Sequence, residues 1–254
     1  METAFEALAR VGFKLKFSFG VDSVNKVFKG GLNPGEIYEI VGESGMGKTQ
    51  LLMSIAKEYL LSQSRFGVCW IDSNGSFKSR RFLEFDSEKR IDILDRLFVS
   101  SVHEPRELIR KLQMLEKNFE QLGCRLLIID NIGTILNRTA WTLKTGGSDC
   151  QKGILSLLTN LVNKRLTVML SNHLINMDGE DRPSLGRLWG KLISRRIVIN
   201  RDDRGLFIKP LNAQTSKKGY VRLAERGLIE IDSSSTDTLT RQVFSQVLFP
   251  LLLW

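Results

Sequence analysis

A chain of 254 residues can bury the core of one large α/β domain and is short for two full ones. Its 37 Lys and Arg against 28 Asp and Glu leave a formal charge of +9, which suits a polyanionic partner such as nucleic acid without specifying one. Cys69, Cys124 and Cys150 are an odd number without C-x-x-C spacing, which argues against a disulfide framework or a zinc site and fits a reducing compartment.

Residues 1–10 carry Glu2 and Glu6 and lack the apolar stretch of a secretion signal, so secretion is not expected. The spacing of Phe5, Leu8 and Ala9 marks residues 1–16 as a linker or docking segment. Gly20, Gly30, Gly31 and Pro34 bracket a short helix expected to be capped near Asp22. Residues 36–41 then read as a strand that enters Gly42-Glu43-Ser44-Gly45-Met46-Gly47-Lys48-Thr49, a G-x-x-x-x-G-K-[ST] string, and residues 50–56 read as the helix that leaves it. Such a strand–turn–helix aims successive backbone N–H groups at phosphate oxygens where the helix begins.

Further strands are expected at 67–72, 96–102, 125–130 and 166–171, with helices at 77–85, after Glu104-Pro105 and through Leu155, Leu158 and Leu161. Leu108, Leu112, Leu115 and Phe119 give the second of these helices an apolar stripe. Residues 133–149 read as a polar, glycine-containing segment. The run Leu126-Leu127-Ile128-Ile129 is apolar on both faces, as a central parallel strand requires, and ends in Asp130 where open α/β sheets place ligands. Beyond residue 195 strands follow one another without helices (196–200, 206–210, 227–232), which predicts antiparallel additions to a mostly parallel sheet covered by helices on both faces. The apolar octet 247–254 is well short of the roughly 20 residues that span a bilayer, so no membrane partner is expected.

In this pattern Lys48 reaches the outer phosphates, the Thr49 hydroxyl binds Mg²⁺, and Asp130 holds the ion from a neighbouring strand. Hydrolysis needs a group to orient or deprotonate water. Glu43 lies within the loop, poorly placed for that task, and Asp72 either serves as the base or ties its own loop by accepting backbone hydrogen bonds. His173, at the end of the Ser171-Asn172-His173 strand, either senses a γ-phosphate or is satisfied locally. Arg182, Arg187, Lys191, Arg195 and Arg196 surround Trp189, and Arg138 and Lys144 surround Trp141. Each group is either a loop for single-stranded DNA or a solvated basic surface with its tryptophan in the core or on a partner.

These strings resemble the RecA-like recombinase family, and within it the eukaryotic recombinase paralogues. Gly45-Met46-Gly47-Lys48-Thr49-Gln50-Leu51 is similar to the family's G-x-G-K-T-Q stretch, and Ser171-Asn172-His173 stands in place of its T-N-Q sensor. Ile71-Asp72-Ser73-Asn74-Gly75, Ser171-Asn172-His173-Leu174 and Pro183-Ser184-Leu185-Gly186-Arg187-Leu188-Trp189 are most similar to the D-type paralogue. The resemblance spans residues 17–232 and implies a P-loop NTPase core of RecA type, followed by a tail at 233–254. It implies Gln50 and Arg81 at the nucleotide, with Arg81 stacked on the adenine, and it places Asn74 where the family carries a catalytic glutamate. An amide is no base, so efficient hydrolysis is not expected. No room for the family's N-terminal helical domain precedes Phe17, and Phe5-Glu6-Ala7-Leu8 only approximates its F-x-x-A polymerisation motif. The resemblance therefore implies an ATP- and Mg²⁺-binding accessory subunit in the nucleus. It would pair with another paralogue and act on recombinase filaments on single-stranded DNA at breaks and stalled forks. The alternatives are a DNA-stimulated ATPase and a structural adaptor with a vestigial P-loop.

Overall fold

The computed structural model describes residues 16–86, 88–140, 146–177, 180–193, 195–211 and 217–231. A 10-stranded sheet organises them, in the order β10-β9-β8-β7-β1-β5-β4-β2-β3 with β6 paired to the end of β5. The strands are β1 (Ile37–Gly42), β2 (Gly67–Asp72), β3 (Leu97–Ser101), β4 (Cys124–Asp130), β5 (Thr167–Met177), β6 (Glu180–Pro183), β7 (Arg195–Asp202), β8 (Gly205–Pro210), β9 (Gly219–Ala224) and β10 (Gly227–Glu230). From β3 across to β7 the ladders are parallel, and β7 to β10 are antiparallel. This is the mostly parallel sheet with C-terminal antiparallel additions that the pattern of elements predicts.

Two cores, one per face, explain the doubly apolar strands. Alternate residues of β4 divide between them: Leu126 and Ile128 join Tyr38, Ile40, Val68 and Trp70, whereas Leu127 and Ile129 join Ile37, Ile71, Val168 and Leu170. The first face is covered by α1 (Asp22–Val27), α2 (Lys48–Ser62) and α3 (Ser79–Glu84), through Val24, Leu51, Leu52, Ile55 and Phe82. The second is covered by α4 (Pro105–Lys117), α5 (Phe119–Leu122), α6 (Ile132–Ala140), α7 (Gly146–Asn163) and α8 (Gly186–Leu192). The stripe Leu108, Leu112, Leu115 and Phe119 is buried there, and truncating any of these leucines to alanine would cost about 2–5 kcal/mol.

Several local expectations give way to tertiary pairing. The segment 133–149, expected to be irregular, contains α6 and the start of α7, because Ile132, Ile135 and Leu136 supply an i, i+3, i+4 face that fills the second core. Helix α1, expected to be capped near Asp22, has Val21 as its N-cap and Asp22 in its first turn, where an acid favours the helix dipole. The strand expected to stop at 171 runs on to Met177 and folds back as a hairpin, pairing Leu174 with Pro183 and Met177 with Glu180. β9, unanticipated from sequence, is held between β8 and β10.

Candidate nucleotide-binding site

The site forms where the parallel strands end. Gly42 of β1 lies in register with His173 of β5, and Asp130 of β4 with Asp72 of β2, so Asp72, Asp130 and His173 come to one edge of the parallel ladders beside the end of β1. Between β1 and α2 the chain turns through Gly45 (φ 81°) and Gly47 (φ 92°), left-handed conformations that only glycine adopts without strain. A Cβ at Gly47 would stand 2.8 Å from Leu223 Cδ2 of β9, the movable end of an exposed side chain, so it is the torsion that calls for glycine there. Helix α2 begins at Lys48 with no side-chain cap, leaving its first-turn N–H groups and positive dipole end to meet an anion.

The resulting open cleft of about 460 Å³ is lined by Ser44, Gly45, Gly47, Lys48, Thr49, Gln50, Asn74, Arg81, Asp130, Asn131, His173 and Leu223. Lys48 Nζ donates to the carbonyls of Gly42 (2.8 Å) and Glu43 (2.7 Å). Burial holds its ammonium below the ordinary range, while Asp130 and Glu43 pull the other way. The Glu43 side chain is exposed, and Met46 turns its side chain against the core.

Asp130 is the hub. Its Oδ2 accepts from Thr49 Oγ1 (2.7 Å) and Ser76 Oγ (3.2 Å), and its Oδ1 accepts from Ser171 Oγ. A hydroxyl and a carboxylate fixed side by side are hard oxygen donors, a pair that fits Mg²⁺ completed by phosphate oxygens and water. Among the described residues no cluster of three His, Cys, Asp or Glu forms a metal site by protein ligands alone. Ser76 and Ser171 are not among the site residues that the sequence motifs assign. Ser171 was readable from its place beside Asn172-His173 on a strand neighbouring β4, whereas Ser76 and Leu223 depend on a loop and a strand that local pattern does not reveal.

Asp72 is engaged in its own loop. Its Oδ1 accepts from the backbone N–H of Asn74 (3.1 Å) and Ser76 (3.2 Å) and from Ser76 Oγ (3.3 Å), and its Oδ2 from Phe77 N–H (3.0 Å). That engagement shapes the turn that puts Asn74 on the cleft. His173 Nε2 lies 3.1 Å from Asn131 Nδ2, and burial, then the Lys48 charge, hold its imidazole below the ordinary value against the pull of Asp130. Arg81 lies beside Gln50 Oε1 (3.0 Å), over the Phe85 ring (5.0 Å) and against the β9–β10 turn, donating to the carbonyls of Ala224 (2.9 Å) and Glu225.

The basic segment is organised differently. Trp189, a candidate for base stacking, is fully buried (0 %) and donates its Nε1 to Glu39 Oε1 (2.8 Å). Arg196 pairs with Glu39 (2.6 Å) and Arg195 with Glu36 (3.3 Å). Arg182 and Lys191 stand exposed on β6 and α8. Arg187 lies on α8 and Arg138 on α6, a helix rather than the expected loop. Trp141 and Lys144 lie outside the described residues, as do 1–15 with their F-x-x-A-like string and the tail after 231.

A phosphate-cradle turn between strand and helix, at the C-terminal edge of a mostly parallel sheet with antiparallel strands added, defines a P-loop protein of the RecA-like fold. The fold alone is likewise matched by the crystal structure of the RadB recombinase, at a TM-score of 0.70 and 19 % identity over 85 % of this chain and all of that one. A model of the Rad51 family matches residues 13–184, and the chain belongs to that family. It is 32 % identical over 204 residues to RAD51-like protein 1 of Caenorhabditis briggsae, covering 79 % of this chain and 81 % of the relative. It is 29 % identical over 205 residues to the mouse DNA repair protein RAD51 homolog 4, covering 72 % of this chain and 60 % of that protein.

Proposed function

We propose that the chain is an ATP·Mg²⁺-binding accessory subunit of homologous recombination, a nuclear recombinase paralogue. In this reading it binds a related subunit and promotes or remodels recombinase filaments on single-stranded DNA at breaks and stalled forks. One observation carries it. Among the described residues lining the cleft, Asp130 is the only carboxylate, it is already shared by Thr49, Ser76 and Ser171, and the residue at the family's glutamate position is Asn74. A site with a phosphate cradle and a metal-holding pair but no carboxylate for water suits retention of ATP over its turnover.

In this reading Lys48 and the α2 N-terminus bind the phosphates, Thr49 and Asp130 hold Mg²⁺, and Gln50 and Arg81 bound the base side. The ion would neutralise phosphate charge. His173 contacts the terminal phosphate from β5, and the bound nucleotide stabilises whichever conformation holds it more tightly, so partner affinity follows nucleotide. Exposed Arg182 and Lys191, with Arg187, Arg138 and Lys144, are the candidates for phosphate contacts to DNA.

Three measurements on the purified chain test the proposal together. Nucleotide titration is expected to give Mg²⁺-dependent ATP binding that Lys48→Ala weakens about a hundredfold, and single-turnover hydrolysis to remain slow with and without single-stranded DNA. Capture of a related paralogue is expected to weaken without ATP or with Lys48→Ala. DNA-stimulated hydrolysis lost in Lys48→Ala would replace this reading with that of an ATPase acting on DNA. Partner capture indifferent to both nucleotide and Lys48 would leave an adaptor.

A further inference from the structure

Away from the cleft, two thiols meet on neighbouring parallel strands. Cys69 of β2 donates to Cys124 at the start of β4, sulfur to sulfur at 3.1 Å, and both are free cysteines. Gly67 faces Cys124 across the ladder, and a Cβ there would stand 2.7 Å from the Arg96 carbonyl and 3.3 Å from Cys124 Sγ, so the bare backbone lies close against both. The two differ in access. Cys124 is fully buried, while Cys69 is half-buried and lines a groove of about 240 Å³ between the edge strand β3 and α4, beside Phe98, Val99, Lys111 and Met114. A small oxidant can therefore approach Cys69, and a protein thiol cannot readily follow it.

We propose that Cys69 and Cys124 form a reversible dithiol/disulfide site oxidised by hydrogen peroxide. The hydrogen bond from Cys69 holds the Cys124 thiol below its ordinary range, with burial opposing and the neighbouring Arg125 charge assisting, and the same contact holds Cys69 above. The favoured form therefore keeps the proton on Cys69, and the reactive form is the minor one in which that proton has passed along the hydrogen bond to Cys124 and the accessible Cys69 is the thiolate. That sulfur attacks one peroxide oxygen and the O–O bond breaks. The departing hydroxide takes the Cys124 proton as water, leaving a sulfenic acid on Cys69. The Cys124 thiolate then attacks Cys69 sulfur, the S–S bond forms and the S–O bond breaks, and the released hydroxide takes a proton from solvent. Two thiols lose two electrons and one peroxide becomes two waters. In a reducing compartment such bonds are transient and report oxidant rather than build the fold.

The bond would tie the middle of β2 to the start of β4, three residues before Asp72 on the one strand and six before Asp130 on the other. The proposal stands apart from the nucleotide reading, because its readout is thiol chemistry. The reduced protein is exposed to hydrogen peroxide, the oxidant is removed, the chain is unfolded in denaturant so that every remaining thiol is blocked with maleimide, and peptides are mapped by mass. The expected product is a Cys69–Cys124 linked pair two hydrogens lighter, with maleimide labelling of Cys124 reduced about tenfold or more and restored by dithiothreitol. Cys150→Ser is expected to behave as the wild type, and Cys124→Ser to leave a sulfenic acid on Cys69 that dimedone traps. Oxidation of Cys150 with Cys69 and Cys124 still fully labelled overturns the proposal. So does over-oxidation of Cys69 while Cys124 stays a free thiol.

Discussion

Strand β5 joins two regions that use their polar residues in opposite ways. At His173 it faces the cleft, where that imidazole, Asp130 of β4 and residues of the P-loop and the Asn74 turn converge on open space, with Ser171 buried behind them on Asp130. Beyond His173 the chain enters the hairpin and α8, where Trp189 and, later, Arg196 turn inward onto Glu39. Asn172 sits between the two, with its Nδ2 on Glu39 Oε1 (2.9 Å) and its Oδ1 accepting from Ser184 Oγ (2.7 Å). The cleft is encoded by residue spacing that dictates backbone geometry. The basic segment is encoded by composition, which leaves the direction of each side chain to be decided by what lies beneath it.

The inward region should break hardest. Glu39 is a fully buried carboxylate on β1 that accepts from Asn172, Trp189 and Arg196, so Glu39→Ala strands three donors, one of them a largely buried guanidinium. The expected loss is about 3–5 kcal/mol of folding stability, measured by chemical denaturation. A loss below about 1 kcal/mol would mean that Trp189 and Arg196 are in truth surface groups, as composition alone allows.

Lys48→Ala probes the outward region, where removal of a charged donor costs ligand rather than fold. Nucleotide affinity is expected to fall about a hundredfold, near 3 kcal/mol, by calorimetry. Denaturation midpoints should stay close to wild type, since Lys48 carries a desolvation cost that alanine relieves. Next in size is a gain. Asn74→Glu places a carboxylate at the mouth of the cleft, and single-turnover hydrolysis is expected to rise by about tenfold to a hundredfold. An unchanged rate would show that the cleft lacks more than a base.

The same contrast explains what could be read from the chain. Leu126-Leu127-Ile128-Ile129 announces its role because both faces of β4 are covered, so no alternation is needed. The P-loop announces itself because Gly45 and Gly47 are demanded by backbone torsion, a local property. Helix α6 was hidden because its apolar face is only Ile132, Ile135 and Leu136, and what makes it a helix is the second core beneath it. β9 was hidden because it is held by ladders to β8 and β10, and with it went Leu223, the residue that presses on Gly47. Trp189 looks the same in sequence whether it stacks on a base or donates to Glu39. Only Glu39, 150 residues earlier, decides.

The smallest expected effect tests how closely the members of the outward region sense one another. His173 is neutral in preference to charged because it is half-buried and because Lys48 repels its proton, with Asp130 opposing. Its folded pKa lies below the ordinary 6.5, so the unfolded chain takes up a proton that the folded chain resists. The contribution to stability is whole above 6.5 and is lost as pH falls through that value towards the folded one. His173→Gln should therefore show a smaller drop in melting temperature than wild type between neutral and mildly acidic pH. The chain has only two histidines, so an NMR titration separates His173 from His103 directly. Lys48→Ala removes the second cause of the depression and should move the His173 titration upward while leaving His103 in place. A His173 titration at or above the ordinary value in the wild type would mean that the imidazole faces solvent, and that β5 does not present it to Lys48 and Asp130 at all.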